Sequence, residues 1–196
     1  MNEQKLTSRQ IQAKATKNKI YQVSIELLKK KGYEDLKVED ICKNAGVSVG
    51  SFYNYFKSKN DILMEIFKIA DDYFENEVES RLNSTNSLNQ IVEFFDYYAN
   101  YNVLIGIDTM KQLYTSNNKM FVQKGRFMQT LLQEIISKGQ SKNQISSIMT
   151  IEEISNYLFI AARGIAYDWC IHDGNYDLKE FMHNYFSKLV SIFKWY

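Results

Sequence analysis

Residues 37–59, KVEDICKNAGVSVGSFYNYFKSK, hold the side chains of this 196-residue chain best suited to recognition chemistry. The stretch reads as a short helix, a tight turn at Gly46 and a second short helix opened by Ser48. Lysines stand at both ends, and no Asp or Glu lies between Ala45 and Lys59. The second helix is small and aromatic rather than uniformly apolar. A helix entering a DNA major groove needs such an outer face: compact, able to hydrogen-bond, and free of carboxylates that phosphates would repel. Covalent chemistry has no comparable set. The chain contains no GxSxG, HExxH, phosphate-binding glycine loop or CxxC pair, and its histidines are His172 and His183. No metal and no cofactor is expected, and Cys42 and Cys170 read as helix-packing residues.

The elements that must position this segment are helical. Thr7 with Gln10 makes a capping-box pair, and a helical pattern follows to Lys31, with Ile20, Val23, Leu27 and Leu28 on one face and Gly32 as C-cap. Val38 to Ala45 forms two turns whose inner side is Val38, Ile41, Cys42 and Ala45. Gly46 supplies a left-handed turn position, and Ser48 caps the helix from Val49 to Phe56. Ser58 followed by Asp61 opens a further helix with the apolar stripe Ile62, Ile66, Phe67, Ala70, Tyr73, Phe74 and Val78. The polar, turn-rich stretch at 83–89 marks a domain boundary.

Beyond it, Ser87 with Gln90 opens a helix through about Tyr101. A shorter helix is expected near Val103 to Tyr114, and a longer one from about Asn118 to Lys138, closed by Gly139. Thr150 with Glu153 caps a helix carrying Ile154, Leu158, Ala161, Ile165 and Trp169. Asp177 with Glu180 caps the last, with Leu178, Phe181, Tyr185, Leu189 and Phe193. The count is about nine helices and no convincing strand; Gln144 to Met149 could be read as strand, but it is isolated. The fold class is therefore all-α, and the absence of proline agrees.

Charge is divided unevenly. Residues 1–60 carry 12 Lys and Arg against 6 Asp and Glu, a net of +6; residues 61–196 carry 12 against 17, a net of −5. A basic first third joined to an acidic remainder is the footprint of a chain that meets phosphate at one end. No apolar run approaches the roughly 20 residues that span a bilayer. The first ten residues lack the apolar centre of a signal peptide, so a cytoplasmic protein without membrane partners is expected.

From about Lys14 to Phe74 the sequence resembles the DNA-binding domain of the tetracycline-repressor (TetR/AcrR) family of bacterial regulators. The matching elements are Gly32-Tyr33, Val38-Glu39-Asp40-Ile41, Ala45-Gly46-Val47-Ser48, Gly50-Ser51-Phe52-Tyr53, Tyr55-Phe56 and Lys57-Ser58-Lys59. The resemblance implies a basic arm over residues 1–12, a helix-turn-helix domain over 13–74 with its motif at 37–56, and an effector-binding and dimerisation domain over 75–196. It further implies a homodimer on a near-palindromic operator, with Ser48, Val49, Gly50, Ser51, Tyr53, Asn54 and Tyr55 on the recognition helix. Gly50 would let the backbone approach the groove, Ser51 and Asn54 read base edges, and Val49 touch a thymine methyl. Ser48, Tyr53 and Tyr55 would place hydroxyls on phosphates, with Lys37, beside Val38, and Lys59 as phosphate clamps. Lys37 stands where the family often has threonine, which leaves the first short helix without its usual hydroxyl cap. Lys5, Arg9, Lys14 and Lys17 form the arm. Phe52 and Phe56 read as the internal face of the motif, and Tyr55 could serve packing instead of phosphate.

Residues 94–169 are dense in aromatics, most of which a helical bundle would use as core. Tyrosine also suits a pocket that is apolar with a polar edge. An effector pocket implied by the resemblance would draw on Phe94, Tyr98, Tyr101, Met110, Tyr114, Phe127, Leu131 and Tyr157. Arg163 could anchor an anionic ligand or make a structural ion pair. Such walls point to a lipophilic or flat aromatic small-molecule effector. Gly164 and the face from Phe181 to Phe193 suggest a four-helix dimer interface. The reading is a ligand-responsive transcriptional regulator, a repressor released by its effector, and not an enzyme. The alternatives are an activator, a relative answering to a protein, or a helical interaction module that never binds DNA.

Overall fold

The computed structural model describes residues 7–114 and 118–195. These residues form nine α-helices, and their sole β-pairing is an isolated antiparallel bridge between Ile145 and Lys194. The chain divides into two compact units, Met1–Ile66 and Phe67–Tyr196. The division falls inside a helix, not at residue 74 or in the 83–89 stretch as the sequence pattern suggests.

The first unit holds α1 (Ser8–Lys31), α2 (Val38–Ala45), α3 (Val49–Tyr55) and the first half of α4 (Asn60–Tyr73). Thr7 and Gln10 make the expected reciprocal cap: the Gln10 amide N–H donates to Thr7 Oγ1 at 3.3 Å, and the Thr7 N–H donates to Gln10 Oε1 at 2.8 Å. Lys5 lies outside the described residues. From Ser8 onward the supposed arm is helix, so Arg9 and Lys14 are exposed positions on α1. Lys17 is not available as an arm cation, because its ammonium sits 2.7 Å from the Glu65 carboxylate. The core of the unit is Ile20, Leu28, Ile41, Ala45, Phe52, Phe56 and Ile62, each almost fully buried. At about 25 cal/mol per Å², such side chains supply most of the unit's stability.

The second unit begins with the remainder of α4, which passes through a π-helical turn (Phe74–Val78) and a 3-10 turn (Glu79–Arg81). It continues with α5 (Ser87–Ile105), α6 (Ile107–Leu113), α7 (Phe127–Ser141), α8 (Ile151–Ile171) and α9 (Leu178–Leu189). Phe67 belongs here because its ring packs edge-on against Phe121 at 5.1 Å. Asp71 does too: it takes the Arg126 Nε–H at 2.8 Å and the Met128 amide N–H at 3.2 Å. Aromatic packing fills the centre, with Phe95 stacked on Phe186 at 3.9 Å and Phe94 against Phe74 at 4.8 Å.

Several element boundaries differ from the sequence pattern, each for a local reason. The N-cap of α5 is Asn86, whose Oδ1 accepts from the amides of Leu88 and Asn89; the Ser87 amide instead donates to Gln144 Oε1 at 2.7 Å. The helix runs four residues past Tyr101 and stops before Gly106, whose φ is +92°. Residues 118–126 are not helix apart from a 3-10 turn at Met120–Val122, so α7 starts at Phe127. Gly139 does not close α7 but lies within it. A Cβ there would come within 2.8 Å of Ser87 Cβ and 2.5 Å of Ile145 Cδ1. The glycine is a point of close approach, and the helix ends two residues later, at Ser141.

Candidate nucleic-acid interface and effector cavity

Two features shape the α2–α3 motif. Gly46 adopts φ +64° and ψ +40°, a left-handed conformation costly for residues with a Cβ, and its following amide, Val47 N–H, closes back on Cys42 O at 3.0 Å. Ser48 then caps α3, its Oγ accepting the Ser51 amide at 3.1 Å. One side of α3 is consumed by the core, since Phe52 and Phe56 are buried as expected. The other side is open. Ser48, Val49, Gly50, Tyr53 and Asn54 are exposed, while Ser51 and Tyr55 are half-buried. A Cβ on Gly50 would meet only Ser48 Oγ, at 3.9 Å, so nothing among the described residues requires glycine there. No carboxylate side chain belongs to this helix.

The lysines sort differently from the sequence expectation. Lys37 is exposed at the N-cap of α2, makes no side-chain capping bond and no close ion pair among the described residues, and feels the Asp40 carboxylate only through space. Val38, the first residue of α2, is half-buried. Lys59 is not a free clamp. Its ammonium donates to Tyr33 O at 2.8 Å, reaches Glu34 O and Leu36 O at 3.4 Å, and lies 4.3 Å from the centre of the Tyr33 ring. Lysine is here a clip for the carbonyls that follow α1. Lys57, two residues earlier, is exposed and forms no ion pair among the described residues; only its backbone amide is engaged, with Asp61 Oδ2 at 2.9 Å. Lys31 is tied to Asp40 at 2.9 Å, and that hydrogen bond holds the Asp40 carboxyl below the usual range.

In the second unit the proposed effector residues scatter. Phe94 is fully buried among Phe74, Phe95 and Phe159, and Leu131 and Met110 are core. Tyr101 stacks on Tyr73 at 5.6 Å. The hydroxyls of Tyr98 and Tyr114 pair at 3.3 Å, and Tyr114 stacks on Phe121 at 4.8 Å. Burial raises the Tyr114 hydroxyl well above its ordinary pKa, so it stays protonated as a donor. Phe127 is half-buried at the start of α7. Tyr157 points outward: it is 46% exposed and leans edge-on against Phe193. It belongs to an outward apolar stripe of α8 with Ile160, Gly164, Tyr167 and Ile171, continued by Phe181 and Tyr185 on α9. Phe193, by contrast, is buried and faces inward.

A cavity of about 340 Å³ lies between α7, α8 and the 121–125 segment. Phe121 and Phe159 supply apolar wall; Gln133, Asn156, Ser155 and Arg163 supply polar wall. Of the nine effector candidates only Arg163 lines it. Its Nη1 donates weakly to Phe121 O at 3.5 Å, and no carboxylate pairs with it among the described residues. Elsewhere in the unit two buried polar atoms, Asn102 Nδ2 and Thr109 Oγ1, have no hydrogen-bond partner, which is uncommon in a native core.

Comparison with known proteins places this geometry. Residues 20–66, which contain α2, α3 and the packing helices around them, match the family described as bacterial regulatory proteins of the tetR family. Residues 20–66 thus carry the DNA-binding segment of the TetR family of transcriptional regulators. A fatty acid metabolism regulator protein of Bacillus subtilis (strain 168) is 25% identical over 180 residues, 88% of this chain and 92% of the relative. The biofilm operon negative transcriptional regulator IcaR of Staphylococcus aureus is 26% identical over 151 residues, 74% of this chain and 78% of IcaR. Among solved structures, FadR from Bacillus subtilis in complex with stearoyl-CoA superposes with a TM-score of 0.73 at 22% identity, over 89% of this chain and 97% of FadR. Thermus thermophilus FadR in complex with lauroyl-CoA gives 0.68 at 18% identity, over 89% of this chain and 92% of that one.

The residues expected to face DNA on α3, Ser48, Val49, Gly50, Tyr53 and Asn54, share its exposed surface. The signal missed was Lys57: it and Lys59 look alike in sequence, and only the fold shows which one is spent on carbonyls. No helix of the described residues is long and apolar enough to cross a membrane.

Proposed function

We propose that this regulator is a homodimeric repressor that binds a near-palindromic operator and leaves it when an acyl thioester or related lipophilic anion binds the second unit. The observation that carries the DNA reading is the exposed face of α3. It offers Ser48, Val49, Gly50, Tyr53 and Asn54 in sequence, without a carboxylate, between the exposed cations Lys37 and Lys57. Val49 suits a thymine methyl and Asn54 an adenine edge; Ser48 and Tyr53 suit phosphate oxygens. Tyr55 and Ser51, half-buried, reach the groove only at its rim. The place of such a molecule is the cytoplasm, beside the chromosome.

Dimerisation is supported by the outward stripe on α8 and α9. Tyr157, Ile160, Tyr167, Ile171, Phe181 and Tyr185 are large apolar side chains left exposed along these two helices, a pattern that suits burial against a partner. Gly164 lies in its middle with nothing within 4 Å of a built Cβ, so its smallness serves a second copy of the chain. The effector class is supported by the acyl-CoA ligands of the FadR proteins and by the aromatic interior of this unit. Moving operator occupancy from nearly all to nearly none requires an effector preference of about 5.5 kcal/mol between the two states.

The test is fluorescence anisotropy on duplexes from the region upstream of the gene. Four exposed lysines per dimer should give a log–log salt slope of about −3 to −4. Addition of stearoyl-CoA should release the duplex. No binding to any upstream duplex in dilute salt would overturn the repressor reading.

A further inference from the structure

We propose that the cavity between α7, α8 and the 121–125 segment binds the oxyanion end of the effector, with Arg163 as its anchor. This rests on the lipophilic-effector reading and gives it a place. Ser155, Phe159 and Arg163 are spaced i, i+4 and i+8 along α8 and so share one face of the helix. That face lines the cavity. Arg163 is half-buried, with no carboxylate partner among the described residues and a single long bond to a carbonyl. A guanidinium carries five donors in a planar fork matched to carboxylate or phosphate oxygens, and leaving it without an anion in a partly dry site is unfavourable. Ser155 is 2% exposed and its hydroxyl makes no hydrogen bond among the described residues, so a second donor stands ready on the same wall.

The apolar requirement is met on the same α8 face and from the 121–125 segment. Phe159 and Phe121 form wall, and Phe121 is held in place by Tyr114 and Phe67. At the rim, Lys124 and Glu152 pair at 2.9 Å while both stay largely exposed. Such a pair contributes little to stability and opens readily, and opening it leaves Lys124 as an additional cation at the entrance. About 340 Å³ is too little for a whole coenzyme A thioester, so the cavity takes one end of an elongated ligand. The recognised chemistry is an oxyanion attached to an apolar chain. A coenzyme A phosphate and a free fatty carboxylate both provide it.

Calorimetric titration of the full chain with stearoyl-CoA, stearate and uncharged methyl stearate separates these. Arg163→Gln should weaken whichever anionic ligand binds wild type by about tenfold or more and leave methyl stearate unchanged. Lys124→Ala, at an exposed position that does not report on folding, should weaken the same ligand severalfold. The arm that binds identifies the source of the oxyanion. Anion affinities unchanged in both variants would overturn this site alone. Should Arg163→Gln not fold, an unchanged affinity in Lys124→Ala does so. If wild type binds none of the three ligands, the lipophilic-effector reading falls and the site with it.

Discussion

Replacing Lys59 by methionine should destabilise the protein without touching its electrostatic grip on DNA. The ammonium makes one strong bond, 2.8 Å to Tyr33 O, and two marginal ones at 3.4 Å, while resting over the Tyr33 ring. A charge-assisted hydrogen bond is worth about 1.5–3 kcal/mol net, and a partly exposed cation–π contact about 0.5–1 kcal/mol. Recovered hydration of the carbonyls offsets part of this, since the clip is only half-buried. A loss of about 2 kcal/mol remains. For a chain of this size that lowers Tm by about 4–8 °C. Methionine keeps the aliphatic stem, so the change isolates the charged head. Thermal unfolding by circular dichroism measures the loss, and anisotropy across a salt series measures the slope, which should match wild type. Lys57→Ala is the mirror experiment: Tm unchanged, and a slope shallower by about 1.8 for two phosphates per dimer. A Lys59 variant with wild-type Tm and a shallower slope would refute the assignment and restore Lys59 as a phosphate contact.

Other consequences can be checked separately. Asn54→Ala should relax preference at one base pair of each half-site by about 1–3 kcal/mol, read by anisotropy on single-substitution duplexes; uniform weakening on all sequences would contradict base readout. Gly139→Ala should destabilise by about 1–2 kcal/mol, because overpacking against Ser87 and Ile145 outweighs the better helix propensity; calorimetry would show it as a lower Tm. Arg126→Gln strands the Asp71 carboxylate in a pair exposed by only 11% and 20%, and should cost about 3–5 kcal/mol. Adding Asp71→Asn should recover part of that loss in a double-mutant cycle, whereas strict additivity would show the two are uncoupled. Burial pushes the Cys170 thiol up to about 11, so about a thousandth of it is thiolate at pH 8. Labelling with iodoacetamide should be slow in the native protein and rapid in denaturant.

Local rules carried much of this architecture. The capping boxes at Thr7 and Thr150, the left-handed Gly46 and the Ser48 cap are decided by residues three or four apart, and all stand where the pattern puts them. The buried Phe52 and Phe56 and the open face of α3 follow from helical periodicity alone. What was not legible depends on chain segments far apart in sequence. Lys59 meets carbonyls 23 to 26 residues upstream, and no local signal separates it from Lys57. Gly139 looks like a stop signal until Ser87 and Ile145 are seen to crowd it. Tyr157 fits an apolar stripe, but the stripe faces outward, and periodicity cannot say against what a stripe will be covered. Of the effector candidates only Arg163 lines the cavity beside α7 and α8, because aromatic composition counts rings without showing which of them surround a space.

Hydroxyl-radical footprinting of the purified full chain on the upstream duplex tests the central claim most directly. Two recognition helices presented by one dimer should protect two backbone patches about 34–36 Å apart, centred on inverted half-sites, and Asn54→Ala should keep that spacing while losing sequence discrimination. A continuous footprint without two-fold spacing, or none at any concentration in dilute salt, would contradict the account.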